Sequence, residues 1–180
     1  MADENLGEAV AQTQQYLTFM MATEEYGVDI LSVQEIRGWD HPTLIPNAPE
    51  HVRGVINLRG IIVPIIDLRL RFSLPALEIS PVTVVIVLRV QTEKGERIMG
   101  IVVDAVSDVY DVRPEQLRPA PDLGHNVDVS YIRGLINVQE RMVVLLDVDT
   151  LLNSDKAFVL AGTDLPAWQE NSSESQDVTS

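Results

Sequence analysis

The sequence predicts an all-β protein built from two related halves, and three observations support this fold class. Residues 52–68 (VRGVINLRGIIVPIIDL) recur as residues 132–148 (IRGLINVQERMVVLLDV), with six identities and seven aliphatic exchanges among seventeen aligned positions. A spacing of 73 relates residues 27–30 (GVDI) to residues 100–103 (GIVV). Apolar runs rich in Val and Ile are short and separated by turn residues, which is typical of barrels and sandwiches. Because a unit of roughly seventy residues can hardly close a core alone, we expect two packed half-domains with a pseudo-two-fold relation.

The strands are predicted as successive hairpins. Residues 16–21 and 26–30 form the first hairpin, and residues 82–90 and 97–103 form a later one around the turn residues EKGE. A tight turn is predicted at 57–60 (NLRG), where Gly60 supplies a backbone conformation that other residues resist. Pro64 lies inside the following apolar run and has no ladder donor. Its strand is therefore expected to be an edge strand or to carry a bulge.

Helical signals are few and short. Asn47 before APEH has the cap-then-proline order of a single helical turn, and residues 113–117 (RPEQL) resemble it in the second half. Residues 149–152 are expected to be helical, and a short C-terminal helix is expected over 154–162, with Ser154 as its cap. Residues 1–15 are expected to be a flexible segment, and the polar, Ser-rich residues 163–180 a disordered tail.

Composition excludes several classes of function. The 180 residues carry a formal charge of −14, which leaves no basic face for nucleic acid or for an anionic membrane. There is no cysteine, so disulfides and thiolate metal sites are excluded. The N-terminus has no secretory signal, and the longest apolar runs are far below the roughly 20 residues needed to span a bilayer. We expect a cytoplasmic protein without direct membrane insertion.

Catalytic and metal chemistry find little support in the sequence. The three histidines lie outside any metal-ligand spacing, so no metal and no cofactor are expected. Asp67 and Asp147 occupy equivalent positions in the two halves, and a pair of symmetry-related carboxylates is one arrangement for a hydrolytic acid/base dyad. No small residues flank them to admit a substrate. The favoured interpretation is that each Asp ends its strand and caps the following turn.

One arginine stands out as a recognition residue. Arg53, Arg59, Arg69 and Arg71 lie within nineteen residues of an acidic protein, and a solvated strand face would explain them as a group. Arg59, however, is predicted at a hairpin tip beside Gly60, where its donors are free to meet a partner. The second half has Gln139 and Glu140 in the same places. A feature present in one of two equivalent loops is less readily explained by the fold, which favours recognition.

Four segments carry a family resemblance: EEYGVDILSVQEIRGW (24–39), PNAPEHVRGVINLRGIIVPIIDLR (46–69), GIVVDAVSDV (100–109) and RPAP (118–121). They are similar to the CheW family of bacterial chemotaxis coupling proteins, and the resemblance covers residues 16–153 as a single domain. It implies two five-stranded SH3-like barrels packed around a shared core, divided by strand pairing rather than cleanly in sequence. It also implies a non-catalytic adaptor that needs no cofactor.

The resemblance further implies partners and a site. The family couples the cytoplasmic tips of methyl-accepting chemoreceptors to the regulatory domain of the histidine kinase CheA, in arrays reached only through those partners. Its receptor contact matches Val33, Glu35 and Arg59, with Gly54 and Gly60 as neighbouring sensitive positions. The kinase-binding residues are not assigned. A self-assembling structural module of the array remains an alternative, since exposed sheet edges can pair.

Overall fold

The computed structural model describes residues 13–75, 78–122, 124 and 129–153. Its described part contains ten strands: β1 (Gln14–Met21), β2 (Glu24–Asp29), β3 (Val33–Gly38), β4 (Val52–Leu58), β5 (Ile61–Asp67), β6 (Val84–Thr92), β7 (Gly95–Val103), β8 (Ala105–Val112), β9 (Ile132–Val138) and β10 (Arg141–Leu146). Two short helices, α1 (Leu68–Arg71) and α2 (Val148–Asn153), and two 3₁₀ turns, Ile30–Ser32 and Pro114–Gln116, complete it. The all-β prediction is confirmed.

The ten strands form two five-stranded sheets with the same internal order. The first sheet runs β8-β1-β2-β10-β9 and the second runs β3-β6-β7-β5-β4. Each contains one parallel pair, β2 with β10 and β5 with β7, and otherwise antiparallel pairs. Strands β1 and β2 therefore pair with β8–β10, whereas β3–β5 pair with β6 and β7. Each half of the sequence gives two strands to one sheet and three to the other.

The two parallel strand pairs are related by the sequence repeat. Gly27 lies opposite Leu145 in the β2–β10 pair, and Gly100 lies opposite Ile65 in the β5–β7 pair. A Cβ atom on Gly27 would lie 2.8 Å from Leu145, and one on Gly100 would lie 2.7 Å from Ile65. The spacing of 73 between the glycines and the spacing of 80 between the aliphatic residues thus meet at one close contact in each sheet.

Apolar side chains form two separate cores and a shared one. One cluster belongs wholly to the second sheet and includes Val63, Ile65 and Val87, while its counterpart in the first sheet includes Val143 and Leu145. A larger cluster takes residues from both sheets and from both helices. Ile65 and Leu145 are 1% and 0% exposed, which confirms their predicted burial. Two sheets, each curved over its own core and packed through a common one, are consistent with paired SH3-like barrels.

Three local expectations need correction. Strand β5 lies between β7 and β4, so it is not the edge strand that Pro64 suggested. Its ladder with β7 begins only at Ile65, after the proline. The register shift of the β4–β5 ladder falls between Val52 and Gly54 on β4. Asn47 does not cap a helical turn, because it has a positive φ of 63° and the chain turns through a Val52-to-Pro49 hydrogen bond. Strand β1 begins at Gln14, inside the segment expected to be flexible.

The other local predictions divide into those confirmed and those outside the described residues. The turn after Arg113 is present as a 3₁₀ turn over Pro114–Gln116, and the helix expected at 149–152 is α2. The predicted helix over 154–162 and the predicted tail over 163–180 lie outside the described residues. In the part of the chain that is described, no helix is long and apolar enough to cross a membrane.

Candidate functional site

The candidate site joins the two edge strands of the second sheet. Arg59 lies in the turn between β4 and β5, and Glu35 lies on β3, at the opposite edge of the sheet order. The Arg59 Nη1 and Nη2 atoms lie 3.4 Å and 3.5 Å from the Oε1 and Oε2 atoms of Glu35. The Arg59 side chain is 75% exposed and that of Glu35 is 24% exposed. This fork-to-fork pair therefore sits at the surface, with the arginine outermost.

The turn itself fixes where Arg59 begins. Arg59 and Gly60 have φ values of 51° and 88°, the pair of positive angles that a two-residue hairpin turn of type I′ requires. The Asn57 side chain accepts a hydrogen bond from the Gly60 backbone N–H at 2.8 Å. A Cβ atom on Gly60 would meet nothing within 4 Å, so the glycine is required for its backbone angle. The turn predicted at 57–60 is confirmed.

Gly54 and Val33 take different positions from the charged pair. Gly54 has a φ of 135°, and a Cβ atom there would collide with the carbonyl of Thr43, which bridges to Val55. A side chain at this position is therefore opposed by backbone packing inside the protein. Val33 is partly buried and packs against the shared core. Of the five predicted residues, the structure brings together Glu35, Arg59 and Gly60.

Two exposed aliphatic residues, one on β3 and one at the start of β5, were not singled out in the sequence. Ile36 follows Glu35 on β3 and is 45% exposed, and Ile61 follows the Arg59 turn and is 44% exposed. In the sequence, Ile36 follows the partly buried Val33 at a spacing of three residues. The β3–β6 ladder shifts register between Val33 and Glu35, so that spacing does not keep both residues equally buried.

The first sheet has a different surface at the equivalent place. The offsets of 73 and 80 make Asp108 the counterpart of Glu35, and Gln139 the counterpart of Arg59. Gln139 and Glu140 have φ values of 49° and 67°, so the turn has the same type of backbone. The Asp108 carboxylate accepts from the Val109 backbone N–H at 2.8 Å. Between the β8 and β9 edges lies a cleft of about 290 Å³, lined by Tyr110, Asp111, Val112, Gln116, Ile136, Asn137, Val138 and Gln139.

A network of polar side chains crosses the first sheet from β8 through β1 and β2 to β10. Glu25 is 4% exposed, and its Oε1 accepts a hydrogen bond from the Thr18 hydroxyl at 2.8 Å. The same hydroxyl oxygen accepts from the Asp108 backbone N–H at 3.2 Å. The Oε2 atom of Glu25 lies 3.7 Å from Nη1 of Arg141 in an ion pair. The sequence analysis did not identify this network. The 73-residue offset could have indicated it, because it aligns Glu25 with the apolar Ile98.

The two symmetry-related aspartates cap helices. Asp67 accepts from the Arg69 backbone N–H at 3.0 Å at the start of α1, and Asp147 accepts from the Thr150 backbone N–H at 3.2 Å at the start of α2. Asp67 is fully buried and its Oδ2 lies 3.3 Å from Nε of Arg53. The two carboxylates end strands of different sheets. This geometry agrees with capping and gives the dyad hypothesis no support.

The arginines singled out in the sequence do not form one basic face. Arg53 pairs with Asp67, Arg59 with Glu35, and Arg69 with Asp104 at 3.0 Å. Asp104 also accepts from the Ala22 backbone N–H at 2.9 Å, which ties the β1–β2 turn to α1 and so joins the two sheets. A solvated face does not describe Arg53 and Arg69, whose side chains are 33% and 15% exposed, whereas Arg59 is 75% exposed. Among the described residues no cluster of His, Asp and Glu has the arrangement of a metal site.

An aromatic stack lies at the junction of the two sheets. The ring centroids of Phe19 and Tyr26 are 6.1 Å apart, those of Tyr26 and Phe72 are 6.1 Å apart, and those of Phe72 and Tyr131 are 5.4 Å apart. Burial, together with the nearby Glu24 and Tyr131, raises the pKa of Tyr26 above its ordinary value of 10.0. The stack is partly buried against the shared core, so it serves packing between the sheets.

Comparisons with known proteins assign the chain to a family. The family model of the CheW-like domain matches residues 15–156. The chain belongs to the CheW family. This family consists of non-catalytic scaffold proteins, which removes the hydrolase alternative.

Relatives cover most of the chain. It is 49% identical over 150 residues to a chemotaxis protein CheW of Klebsiella aerogenes, covering 83% of this chain and 87% of the relative. A chemotaxis protein CheW of Rhizobium meliloti is 37% identical over 140 residues, covering 78% of this chain and 88% of the relative. The crystal structure of a CheW scaffolding protein from Thermoanaerobacter tengcongensis superposes with a TM-score of 0.69 at 29% identity, covering 79% and 89% of the two chains.

Proposed function

We propose that this CheW-family protein is a cytoplasmic adaptor that couples the tips of methyl-accepting chemoreceptors to the regulatory domain of the kinase CheA. The observation that carries the proposal is the Glu35–Arg59 pair, which stands on one sheet and is replaced on the other by Asp108 and Gln139. Membership of a chemotaxis scaffold family supports the class of partner. No enzymatic step is needed, because an adaptor acts by holding two proteins together.

The surface beside the pair has the composition of a helix-binding edge. Ile61, two residues after Arg59, is 44% exposed, and Ile36, the residue after Glu35, is 45% exposed on the other face of β3. Chemoreceptor tips are helical hairpins, and a helix side combines apolar residues with polar ones at its margin. Exposed charges at the rim of such a contact set register and partner choice more than affinity. The proposed receptor site therefore consists of Glu35 and Arg59, with Ile61, the first residue of β5 after the turn, as its apolar neighbour.

Self-assembly through sheet edges has weaker support. The outer edge of β4 is covered where Thr43 exchanges two backbone hydrogen bonds with Val55, at 2.8 Å and 2.9 Å. The outer edge of β9 is covered in the same way, where Arg118 exchanges two bonds with Leu135 at 2.9 Å and 2.8 Å. An edge already bonded to its own chain is a poorer template for a second one.

The proposal is tested by charge reversal with two separate partners. Glu35→Lys and Arg59→Glu are each expected to weaken binding to a receptor signalling fragment about tenfold, which is about 1.4 kcal/mol. Binding to the CheA regulatory domain is expected to change little. Both are measured by titration calorimetry, beside circular dichroism to confirm the fold.

The matched control is Lys94→Glu, which reverses a charge at the exposed β6–β7 turn of the same sheet. It is expected to leave both affinities unchanged. If Glu35→Lys lowered the affinity for both partners equally, or for neither, this surface would not be the receptor site.

A further inference from the structure

The β6–β7 hairpin of the second sheet reaches beyond its neighbouring strand. Strand β3 pairs with β6 only as far as Leu88, whereas β6 continues to Thr92. Thr92 lies opposite Gly95 across a two-residue turn, and in such a turn the flanking pair exchanges the ladder hydrogen bonds while the next pair does not. Gln91 belongs to that next pair. Its backbone N–H and C=O therefore point away from β7, to the side where β3 has ended.

Helix α2 supplies the two hydrogen bonds that a further strand would supply. The Gln91 backbone N–H donates to Oδ1 of Asp149 at 2.9 Å, and the Gln91 carbonyl accepts from Nδ2 of Asn153 at 2.6 Å. The same Nδ2 atom also donates to the Asp149 carbonyl at 2.6 Å. Residues four positions apart lie on one face of a helix, so α2 presents an acceptor and a donor together to a single residue of β6.

The opposite face of α2 is apolar and covers the shared core. Val148, Leu151 and Leu152 are at most 5% exposed and belong to the cluster that contains residues of both sheets. The helix follows β10, a strand of the first sheet, whereas Gln91 lies in the second sheet. One short helix thus contacts both sheets, with apolar side chains beneath it and hydrogen bonds at its margin.

Helix α1 makes an equivalent link with different chemistry. It follows β5 of the second sheet, and Nη1 of Arg69 lies 3.0 Å from both carboxylate oxygens of Asp104. Asp104 in turn accepts from the Ala22 backbone N–H, in the β1–β2 turn of the first sheet. The 80-residue offset aligns Arg69 with Asp149. Each helix therefore reaches a hairpin of the other sheet, α1 through an ion pair and α2 directly.

These links restrict what the shared core leaves free. Apolar burial is non-directional, so a core alone defines the angle between two sheets loosely, whereas hydrogen bonds restrict it through their geometry. We propose that α2 is a strap that fixes the orientation of the two sheets, with Asp149 and Asn153 as its positioning residues. This inference rests on the proposed function and deepens it, because an adaptor that couples two partners has to hold its receptor surface in a fixed orientation relative to the rest of the molecule.

Two near-isosteric substitutions separate the strap from the helix that carries it. Asn153→Asp replaces the amide donor by an oxygen that faces two carbonyl oxygens, and it is expected to open the strap. Asp149→Asn keeps an oxygen that accepts from Gln91, and it is expected to leave the strap closed. Hydrogen exchange of the Gln91 amide is expected to become about tenfold faster in Asn153→Asp and to stay near the parental rate in Asp149→Asn. Equal rates in the parent and in Asn153→Asp would overturn the inference.

The orientation of the sheets is measured separately, by electron paramagnetic resonance between two spin labels. The chain has no cysteine, so Arg59→Cys and Glu140→Cys, at the tips of the two equivalent hairpins, give the only labelled positions. The distribution of distances between the labels is expected to broaden in Asn153→Asp and in Asn153→Ala, and to keep the parental width in Asp149→Asn. Thr92→Ala removes a hydrogen bond within the β6–β7 hairpin alone and is the matched control. A parental width in both Asn153 variants would overturn the inference.

A functional measurement distinguishes this inference from the proposed function. Asn153→Asp is expected to leave the separate affinities for a receptor signalling fragment and for the CheA regulatory domain unchanged, and to lower receptor-dependent kinase activity when all three components are combined. Asp149→Asn is expected to keep the parental activity. Parental activity in Asn153→Asp with an open strap would overturn the positioning role. If the parent chain bound no receptor fragment, the proposed function would fail, while the exchange and spin-label measurements would still decide whether α2 fixes the two sheets.

Discussion

The two hairpin tips of this protein have the same backbone and different side-chain chemistry. In the second sheet, Arg59 reaches the opposite edge strand and pairs with Glu35 at the surface. In the first sheet, Gln139 stands at the tip, and the hairpin is tied inward instead through Arg141 and the buried Glu25. A duplicated fold thus keeps the strand order and the turn geometry, and it differs in whether the charged pair faces solvent or the core.

This difference suggests how one copy became available for recognition. A surface pair leaves donors for a partner, and it contributes little to stability because water screens it. In a buried pair the two charges neutralise each other inside the protein, so they offer no charge to a partner at the surface. Under the proposed function the two copies therefore divide the roles: the edge with Glu35 and Arg59 would bind the receptor, and the pair of Arg141 and Glu25 belongs to the interior of its own sheet.

The largest expected effects come from the two cores and test whether the sheets are equivalent inside. Ile65→Ala and Leu145→Ala each remove a side chain that is at most 1% exposed and that packs over a glycine. Each substitution is expected to lower the free energy of unfolding by roughly 2–5 kcal/mol, from lost burial and a new cavity. Chemical denaturation measures it. Denaturant midpoints that barely move in either variant would show that its strand does not carry a core.

The two-fold repeat could be predicted from the sequence, because each close contact in one sheet has an equivalent contact in the other. Gly27 with Leu145 and Gly100 with Ile65 are related by two offsets, and both offsets are visible in the sequence. The exchange of strands between the sheets is not visible there, since an alignment of segments does not state which strands pair. The resemblance identified Glu35 and Arg59 as candidate residues, and the structure shows that their side chains contact each other.

The burial of Glu25 could not be predicted from the sequence, for a physical reason. Glu25 was not singled out, because a carboxylate beside Glu24 at a hairpin turn has the pattern of a solvated residue. Its burial depends on Thr18, on Arg141 and on the bulge at Asp108, three positions far apart in the chain. Such a network follows from tertiary packing, which the alternation of apolar residues along single strands does not report.

A smaller effect is expected from the glycines that begin the two equivalent hairpins. A Cβ atom on Gly54 would collide with the Thr43 carbonyl at a φ of 135°, whereas Gly134 has an ordinary φ and its Cβ would lie 2.6 Å from the Leu117 side chain and 2.9 Å from the Arg118 carbonyl oxygen. Gly54→Ala is expected to cost about 3 kcal/mol and Gly134→Ala about 1–2 kcal/mol, because only Gly54 combines a positive φ with the closer backbone contact. Thermal unfolding of both variants checks the order. Equal costs would mean that the loop over 42–45 moves aside.

The smallest stability effect is the most informative about the two tips, because it contrasts Arg59→Glu with Arg141→Glu. The Nη1 atom of Arg141 lies 3.7 Å from a carboxylate oxygen of Glu25, which is nearly buried. Reversal there removes the partner of Glu25 and adds a like charge, so the free energy of unfolding is expected to fall by about 1–2 kcal/mol, less than for a fully buried pair because Arg141 is 56% exposed.

Arg59→Glu is expected to change the free energy of unfolding by no more than about 0.5 kcal/mol, as is usual for an exposed ion pair. Arg141→Glu with Glu25→Gln is expected to recover part of the loss, because the like-charge repulsion is then removed, whereas the same partner change at the second sheet, Arg59→Glu with Glu35→Gln, is expected to recover nothing measurable. Urea denaturation of the four variants decides the matter. Equal stability losses at the two tips would show that the pair at Glu25 is as solvated as the pair at Glu35, and the division between a binding edge and a structural edge would then lose its physical basis.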